Sequence, residues 1–182
     1  GLSLASDGTV SDPDEDDELS VTGTLADEDG VSGASPTYVW KRAGTAISGA
    51  TSSSYTLVQA DVGTIISVVI SYTDDESESN TITLTAASDV DNVNDAPTVA
   101  STISDVSHAE DAAYSLDASG TCTDVDSGDT MAYTISGGPS TITATTAGAI
   151  SGTPVNADVG THTITVTCTD GSSAAATDEY VL

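Results

Sequence analysis

Apolar and polar residues alternate with a period of two along much of this chain, and the alternation breaks at clusters of Gly, Asp, Ser and Pro. The clearest run covers residues 64–73, where Ile66, Val68, Ile70 and Tyr72 face one way and Ser67, Ser71 and Thr73 the other. That period belongs to a strand and not to a helix. Leu19, Val21, Gly23 and Leu25 predict an earlier strand, Thr37–Arg42 a second, and Tyr55 with Leu57 a short third. Ala60-Asp61-Val62-Gly63 reads as a turn, and residues 81–85 as a closing strand. Residues 1–17 read as an acidic loop with room for one short strand. A second set follows. Tyr114, Leu116, Ala118 and Cys122 share one strand face, and residues 131–135 form the next strand. Residues 150–154 read as a turn. His162, Ile164, Val166 and Cys168 face inward while Thr163, Thr165 and Thr167 face outward, and residues 179–182 supply the last strand.

The two sets are copies. Gly23-Thr24-Leu25-Ala26-Asp27-Glu28-Asp29 recurs as Gly120-Thr121-Cys122-Thr123-Asp124-Val125-Asp126. Val58-Gln59-Ala60-Asp61-Val62-Gly63-Thr64 recurs as Val155-Asn156-Ala157-Asp158-Val159-Gly160-Thr161, and Tyr72-Thr73-Asp74 as Cys168-Thr169-Asp170. The offset of about a hundred residues is the length of a domain and exceeds that of a solenoid unit. The expected organisation is two all-β domains, residues 1–95 and 96–182, each a Greek-key β-sandwich. Residues 89–97, Asp-Val-Asp-Asn-Val-Asn-Asp-Ala-Pro, join them without the Gly-Ser character of a flexible tether.

Composition sharpens this picture. Val, Ile and Thr favour strands, and the aromatic residues number one Trp, six Tyr and no Phe. Against 29 acids stand only Lys41 and Arg42, for a net charge of −27. Phosphate contacts need a basic surface, so nucleic acid is excluded as a partner and an anionic membrane is disfavoured. No apolar run spans a bilayer. No signal peptide is present, and Gly1 reads as an internal boundary of a longer chain. The acid serves either solubility alone or the binding of a hard divalent cation.

Topology favours the cation. In an immunoglobulin-like sandwich, strands B and F run the same way and end at one pole. Asp27, Asp29 and Asp74 then lie at the top of the first domain, and Asp124, Asp126 and Asp170 at the top of the second. The Glu15 region and Asp61 fall at the bottom of the first, beside the linker. The junction is expected to gather Glu15, Asp61, Asp91, Asn92, Asn94, Asp95, Asp124, Asp126 and Asp170 around interdomain Ca2+. Calcium takes six to eight oxygens, whereas magnesium keeps its waters and a strict octahedron. Asp27, Asp29 and Asp74 would form an N-terminal half-site, and Glu110 with Asp158 a C-terminal one. Asp129 is either an extra ligand or a turn residue, and the Asx-rich linker also suits plain turn chemistry.

This pattern resembles the cadherin repeat. The matching elements are Glu15 or Glu110, Asp27-Glu28-Asp29 or Asp124-Val125-Asp126, the Asp61 or Asp158 turn, Asp74 or Asp170, and residues 91–97. The resemblance implies calcium between successive domains and a stiffened array. Tyr38-Val39-Trp40-Lys41-Arg42-Ala43-Gly44, Ile47-Ser48-Gly49-Ala50-Thr51 and Tyr55-Thr56-Leu57 resemble tandem Ig-like modules of very large bacterial surface adhesins of the RTX type. Ile150-Ser151-Gly152-Thr153-Pro154 with Asp158-Val159-Gly160 resembles their dystroglycan-type cadherin-like modules. These resemblances imply secretion, display on a Gram-negative surface, and a role in adhesion or biofilm formation. The glycine-rich calcium nonapeptides of that class are absent.

Cys122 replaces Leu25 of the first copy and Cys168 replaces Tyr72. Alternation puts both on inner faces of strands B and F, where immunoglobulin domains carry an inter-sheet disulfide, so Cys122–Cys168 pairing is expected; two small buried thiols are the alternative. A disulfide suits an oxidising, extracytoplasmic setting. Two Cys and two distant His do not make a zinc site.

No catalytic arrangement stands out. His108 and His162 are the only imidazoles, no nucleophile–base spacing is visible, and few aromatics are present to line a cleft. Trp40 reads as core, with sugar stacking the lesser alternative. The outward Thr rows are ordinary for solvated strands, and a flat surface-binding face is their other reading. The expected function is a non-catalytic, calcium-stiffened, monomeric extender whose partners are neighbouring domains of its own chain. A ligand-binding tip module, or an accessory module of a secreted hydrolase, is the alternative.

Overall fold

The alternating runs carry strands in the computed structural model, which describes residues 1–6 and 11–182. Residues 7–10, part of the segment read as an acidic loop, lie outside the described residues. The chain divides into two compact units, Gly1–Val93 and Asn94–Leu182. Helix is confined, among the described residues, to the 3-10 turns Gln59–Asp61 and Asn156–Asp158. No described helix is long and apolar enough to cross a membrane.

Unit 1 contains β1 (Leu2–Ser6), β2 (Glu18–Gly23), β3 (Thr37–Arg42), β4 (Thr45–Ala46), β5 (Ser54–Thr56), β6 (Ile66–Thr73) and β7 (Ser79–Thr85). They form two antiparallel sheets, β1-β2-β5 and β4-β3-β6-β7. The faces that alternation marked as apolar meet in a core of Leu19, Trp40, Leu57, Ile66, Val68, Ile70 and Val90. Trp40 is fully buried and its indole N–H donates to the Ser52 carbonyl at 2.9 Å, so its one polar atom is satisfied inside the core. The β3–β4 hairpin turns on Ala43 and Gly44, both at positive φ, which is the geometry that matches strand twist in a two-residue loop. Beyond β7 the chain runs beside earlier segments through the parallel bridges Asp14–Asp91 and Val62–Val90.

Unit 2 contains β8 (Thr98–Val99), β9 (Tyr114–Asp117), β10 (Cys122–Thr123), β11 (Ala132–Ser136), β12 (Ile142–Ala144), β13 (Ala149–Gly152), β14 (Thr163–Thr169) and β15 (Ala175–Val181). The sheets are β12-β13-β9, β11-β14-β15 and the small pair β10-β8. Its core is Tyr114, Ala118, Cys122, Tyr133, Ile142, Ile150, Ile164, Val166, Cys168 and Tyr180. The run from Tyr114 to Cys122 is broken into β9 and β10, because Thr121 N–H turns back to the Ala118 carbonyl at 3.0 Å.

Two expectations need correction. Residues 150–152 are strand and not turn: Ile150 is buried at 1% exposure and pairs with Leu116. Gly152 serves close packing there, since a Cβ would collide with the Thr141 carbonyl of the paired strand. The last strand starts at Ala175, well before residue 179. Its Ala-Ala-Thr opening carries too little contrast to show a period.

Cys122 on β10 and Cys168 on β14 form a disulfide, with 6.4 Å between their Cα atoms. It joins the small β10-β8 pair to the β11-β14-β15 sheet.

Candidate cation sites

In unit 1 the acidic turn after β2 meets the end of β6. Asp27, Asp29 and Asp74 each place one carboxylate oxygen within 4.8 Å of the others. Two bonds orient Asp27: Tyr72 Oη donates to Oδ2 at 2.7 Å and the Asp29 amide donates to Oδ1 at 3.2 Å. The Tyr72 hydroxyl and then the Asp29 amide hold the Asp27 carboxyl below the usual carboxylate range. The same bond pushes the Tyr72 phenol up. Asp74 is 7% exposed and closes the β6–β7 hairpin, accepting from the Glu76 and Glu78 amides at 3.0 and 2.8 Å and from Asn80 Nδ2 at 2.8 Å. Asp74 Oδ1 takes both amides, while Asp74 Oδ2 and the two Asp27 oxygens each accept one of these bonds, which leaves those three oxygens capacity for a cation. Asp75, which the sequence did not single out, ties this turn together: its amide bonds the Gly30 carbonyl, and Ser32 Oγ donates to its Oδ2 at 2.9 Å.

Unit 2 repeats the arrangement with a different third member. Asp124, Asp126 and Asp129 bring one oxygen each within 4.8 Å of one another, which gives Asp129 a place among the acids. The Asp126 amide donates to Asp124 Oδ1 at 2.9 Å. The linker residues reach the same loops: the Asp95 amide donates to Asp126 Oδ2 at 2.8 Å, and Asn94 Nδ2 to Asp170 Oδ2 at 3.0 Å. Asp170 Oδ1 accepts from the Ala174 amide at 2.7 Å. The Asn94 amide chiefly, with backbone amides of the β14–β15 turn, lowers the Asp170 carboxyl below its ordinary value. Asp124 Oδ2 is shielded from solvent and has no hydrogen-bond partner. A buried carboxylate oxygen without a donor is costly, and a bound cation removes that cost.

The remaining candidates divide. Glu15, 6% exposed, lies beside Asp91 in unit 1, its amide bonded to the Asp91 carbonyl at 2.9 Å. Asn92 Oδ1 accepts from Gln59 Nε2 at 3.1 Å. Asp61, expected at the junction, is held by partners within unit 1. It is fully buried, and its oxygens are taken by Arg42 Nε at 2.7 Å, Tyr55 Oη at 2.9 Å and the Val58 amide at 2.9 Å. A cation there would have to displace a guanidinium. Asp158, its counterpart in unit 2, caps the same 3-10 turn through the Val155 amide at 2.9 Å and also accepts from Thr141 Oγ1 at 2.8 Å. Glu110 and Asp158 line one cavity of about 390 Å³ with His108, His162, Pro154 and Leu182. Neither belongs to a group of three or more His, Cys, Asp or Glu side chains close enough to share an ion, among the described residues.

Residues 96–182 match the family model described as "Putative Ig domain". No curated protein sequence matches the chain. Among solved structures, protocadherin gamma B2 extracellular cadherin domains 1–5 is similar at TM-score 0.50 and 13% identity, over 99% of this chain and 39% of that one. Chicken VE-cadherin EC1-2 is similar at TM-score 0.44 and 15% identity, over 90% of this chain and 88% of that one. An endo-fucoidan hydrolase of glycoside hydrolase family 107 aligns at TM-score 0.36 and 24% identity, over 85% of this chain and 23% of that one. The chain thus spans well under half of the protocadherin and hydrolase structures. Packed antiparallel sheets in each unit, an inter-sheet disulfide in the second, and the protocadherin likeness together identify the fold as all-β and Ig-like/cadherin-like.

Proposed function

We propose that this chain is a non-catalytic extender of a secreted bacterial surface adhesin, stiffened by calcium and supporting adhesion or biofilm formation. The observation that carries the reading is a carboxylate triad in each unit, built on the repeated Asp27/Asp29 and Asp124/Asp126 pairs and completed by Asp74 in unit 1 and by Asp129 in unit 2. Two like charges about 4 Å apart repel by about 4 kcal/mol at an effective dielectric of about 20. Clusters so arranged favour a divalent counterion, and an all-oxygen donor set favours a hard one. The orphaned Asp124 Oδ2 fits such an ion. In unit 1, Asp27, Asp29 and Asp74 would hold it; in unit 2, Asp124, Asp126, Asp129 and Asp170, with Asn94 and Asp95. Residues 91–95 span at most about 18 Å when extended. Ions held on both sides of so short a link would limit bending between modules. The bacterial surface setting follows from the module resemblance, and the disulfide fits secretion.

Small-angle scattering with and without a chelator, paired with calcium calorimetry, tests the reading. An extended profile that collapses to a bent ensemble on chelation is the expected result. Identical profiles would remove the mechanical role. A second reading, a ligand-binding module, is favoured by the unit 2 cavity of about 390 Å³, which lies in the size range of small-molecule sites. Saturable binding of a sugar or peptide, lost on filling the cavity with His162→Trp, would favour it.

A further inference from the structure

The two cysteines stand in a fixed relation to the acids. Cys122 lies two residues before Asp124, and Cys168 two before Asp170. In unit 1 the same places hold Leu25 before Asp27 and Tyr72 before Asp74. There a different cross-link spans the strand ends, the 2.7 Å bond from Tyr72 Oη to Asp27. Unit 2 has no hydroxyl at that position and has the disulfide instead.

In neither unit is the segment before the acids held by a long ladder, so a cross-link from the facing strand has work to do. In unit 1 the matching residues, Leu25 and Ala26, lie just beyond the end of β2 and belong to no strand, and the Tyr72 bond reaches across to Asp27 from β6. In unit 2, β10 has two residues, paired only with the two residues of β8. So short a ladder holds the Asp124–Asp126 loop weakly, and the disulfide ties it to β14, a seven-residue strand at the centre of its sheet. The loop it holds carries the solvent-shielded, unpartnered Asp124 Oδ2 and the nine-tenths buried Asp126.

We infer that the Cys122–Cys168 disulfide positions the cation ligands of unit 2, as the Tyr72–Asp27 bond does in unit 1, so that reducing it weakens cation binding in unit 2 alone. This rests on the cation reading above. A dithiol such as dithiothreitol supplies two electrons and two protons; the S–S bond breaks to two thiols and the reagent becomes its cyclic disulfide. Both sulfurs are buried within unit 2, and unit 1 contains no cysteine.

The test is calcium calorimetry on the full chain, with Asp27→Asn or Asp124→Asn assigning each binding event to its unit. Cys122→Val with Cys168→Val keeps apolar packing without the link. Cys122→Leu with Cys168→Tyr transplants the unit 1 pair. The valine pair is expected to weaken the Asp124-dependent event by about tenfold, the scale of losses from outer-shell partners. The transplanted pair is expected to recover most of that loss and to ignore reductant. The Asp27-dependent event stays unchanged in both. Equal Asp124-dependent affinity with and without the disulfide overturns the proposal and leaves the cation reading standing. Absence of any Asp124-dependent event in the oxidised chain overturns the cation reading, and the proposal with it. Should the valine pair fail to fold, linkage decides: calcium must shift the thiol–disulfide equilibrium of the native chain toward the disulfide, and an unshifted equilibrium overturns the proposal.

Discussion

At the scale of single residues, the same acid does different work according to its neighbours. Asp61 and Asp27 are both aspartates in turns, yet Asp61 is sealed against Arg42 while Asp27 lies beside two other acids. Asp61→Ala should therefore destabilise unit 1 by about 3 kcal/mol, the low end for breaking a buried pair, because the Arg42 side chain is 30% exposed and can reach water. Calcium affinity should not change. Urea unfolding and calorimetry on the variant check both halves. Asp158 allows a pH prediction. The Val155 amide first, then the Thr141 hydroxyl, hold its carboxyl below the ordinary value. A folded pKa below the unfolded one means the stabilisation is complete above the unfolded value, about 3.9, and is lost as pH falls through the folded value. Thr141→Val should move the Asp158 titration up toward the usual range and reduce the share of stability lost in acid. A carboxyl-carbon NMR titration reads the midpoint; an unmoved midpoint would rule out the hydroxyl as a cause.

At the scale of elements, period-two alternation located the strands wherever apolar and polar residues differ strongly. Ile66, Val68 and Ile70 are all fully buried, as their spacing predicted. It failed at β13 and the start of β15, where Gly, Ser and Ala dominate and the contrast fades. Gly152 illustrates the reason. In sequence, Ser-Gly-Thr-Pro reads as a turn; in the fold, Gly152 pairs with Ile142, and any side chain would strike the Thr141 carbonyl. Gly152→Ala should part β12 from β13 and cost unit 2 about 2 kcal/mol through overpacking. Hydrogen exchange of the β12–β13 amides would show the loss, and unaltered protection would contradict it.

At the scale of the whole molecule, each unit has its own core and its own sheets, so each should melt as its own transition. Reductant should lower only the unit 2 transition, by about 4 kcal/mol in the chain-entropy model for a 46-residue separation. Calcium should raise both, since a ligand that binds only the folded form stabilises it by mass action. Scanning calorimetry of the chain with calcium, with chelator and with reductant separates these effects. A single transition moved by reductant as a whole would contradict independent folding.

The amino-acid sequence alone determined the strand class, the duplication, the acidic character and the pairing partners of the disulfide, because each is written in local periodicity or in an offset between copies. The acids that cluster near Asp27 and Asp124 were also legible, since strand direction carries them to one end of a sandwich. Only the tertiary structure decided which acids keep lone pairs free. Asp61 and Asp158 repeat as faithfully as Asp27 and Asp124, and repetition cannot distinguish a carboxylate that caps a turn from one grouped with other acids. That distinction depends on partners far apart in the chain, Arg42 for Asp61 and Thr141 for Asp158, which meet only when the sheets pack.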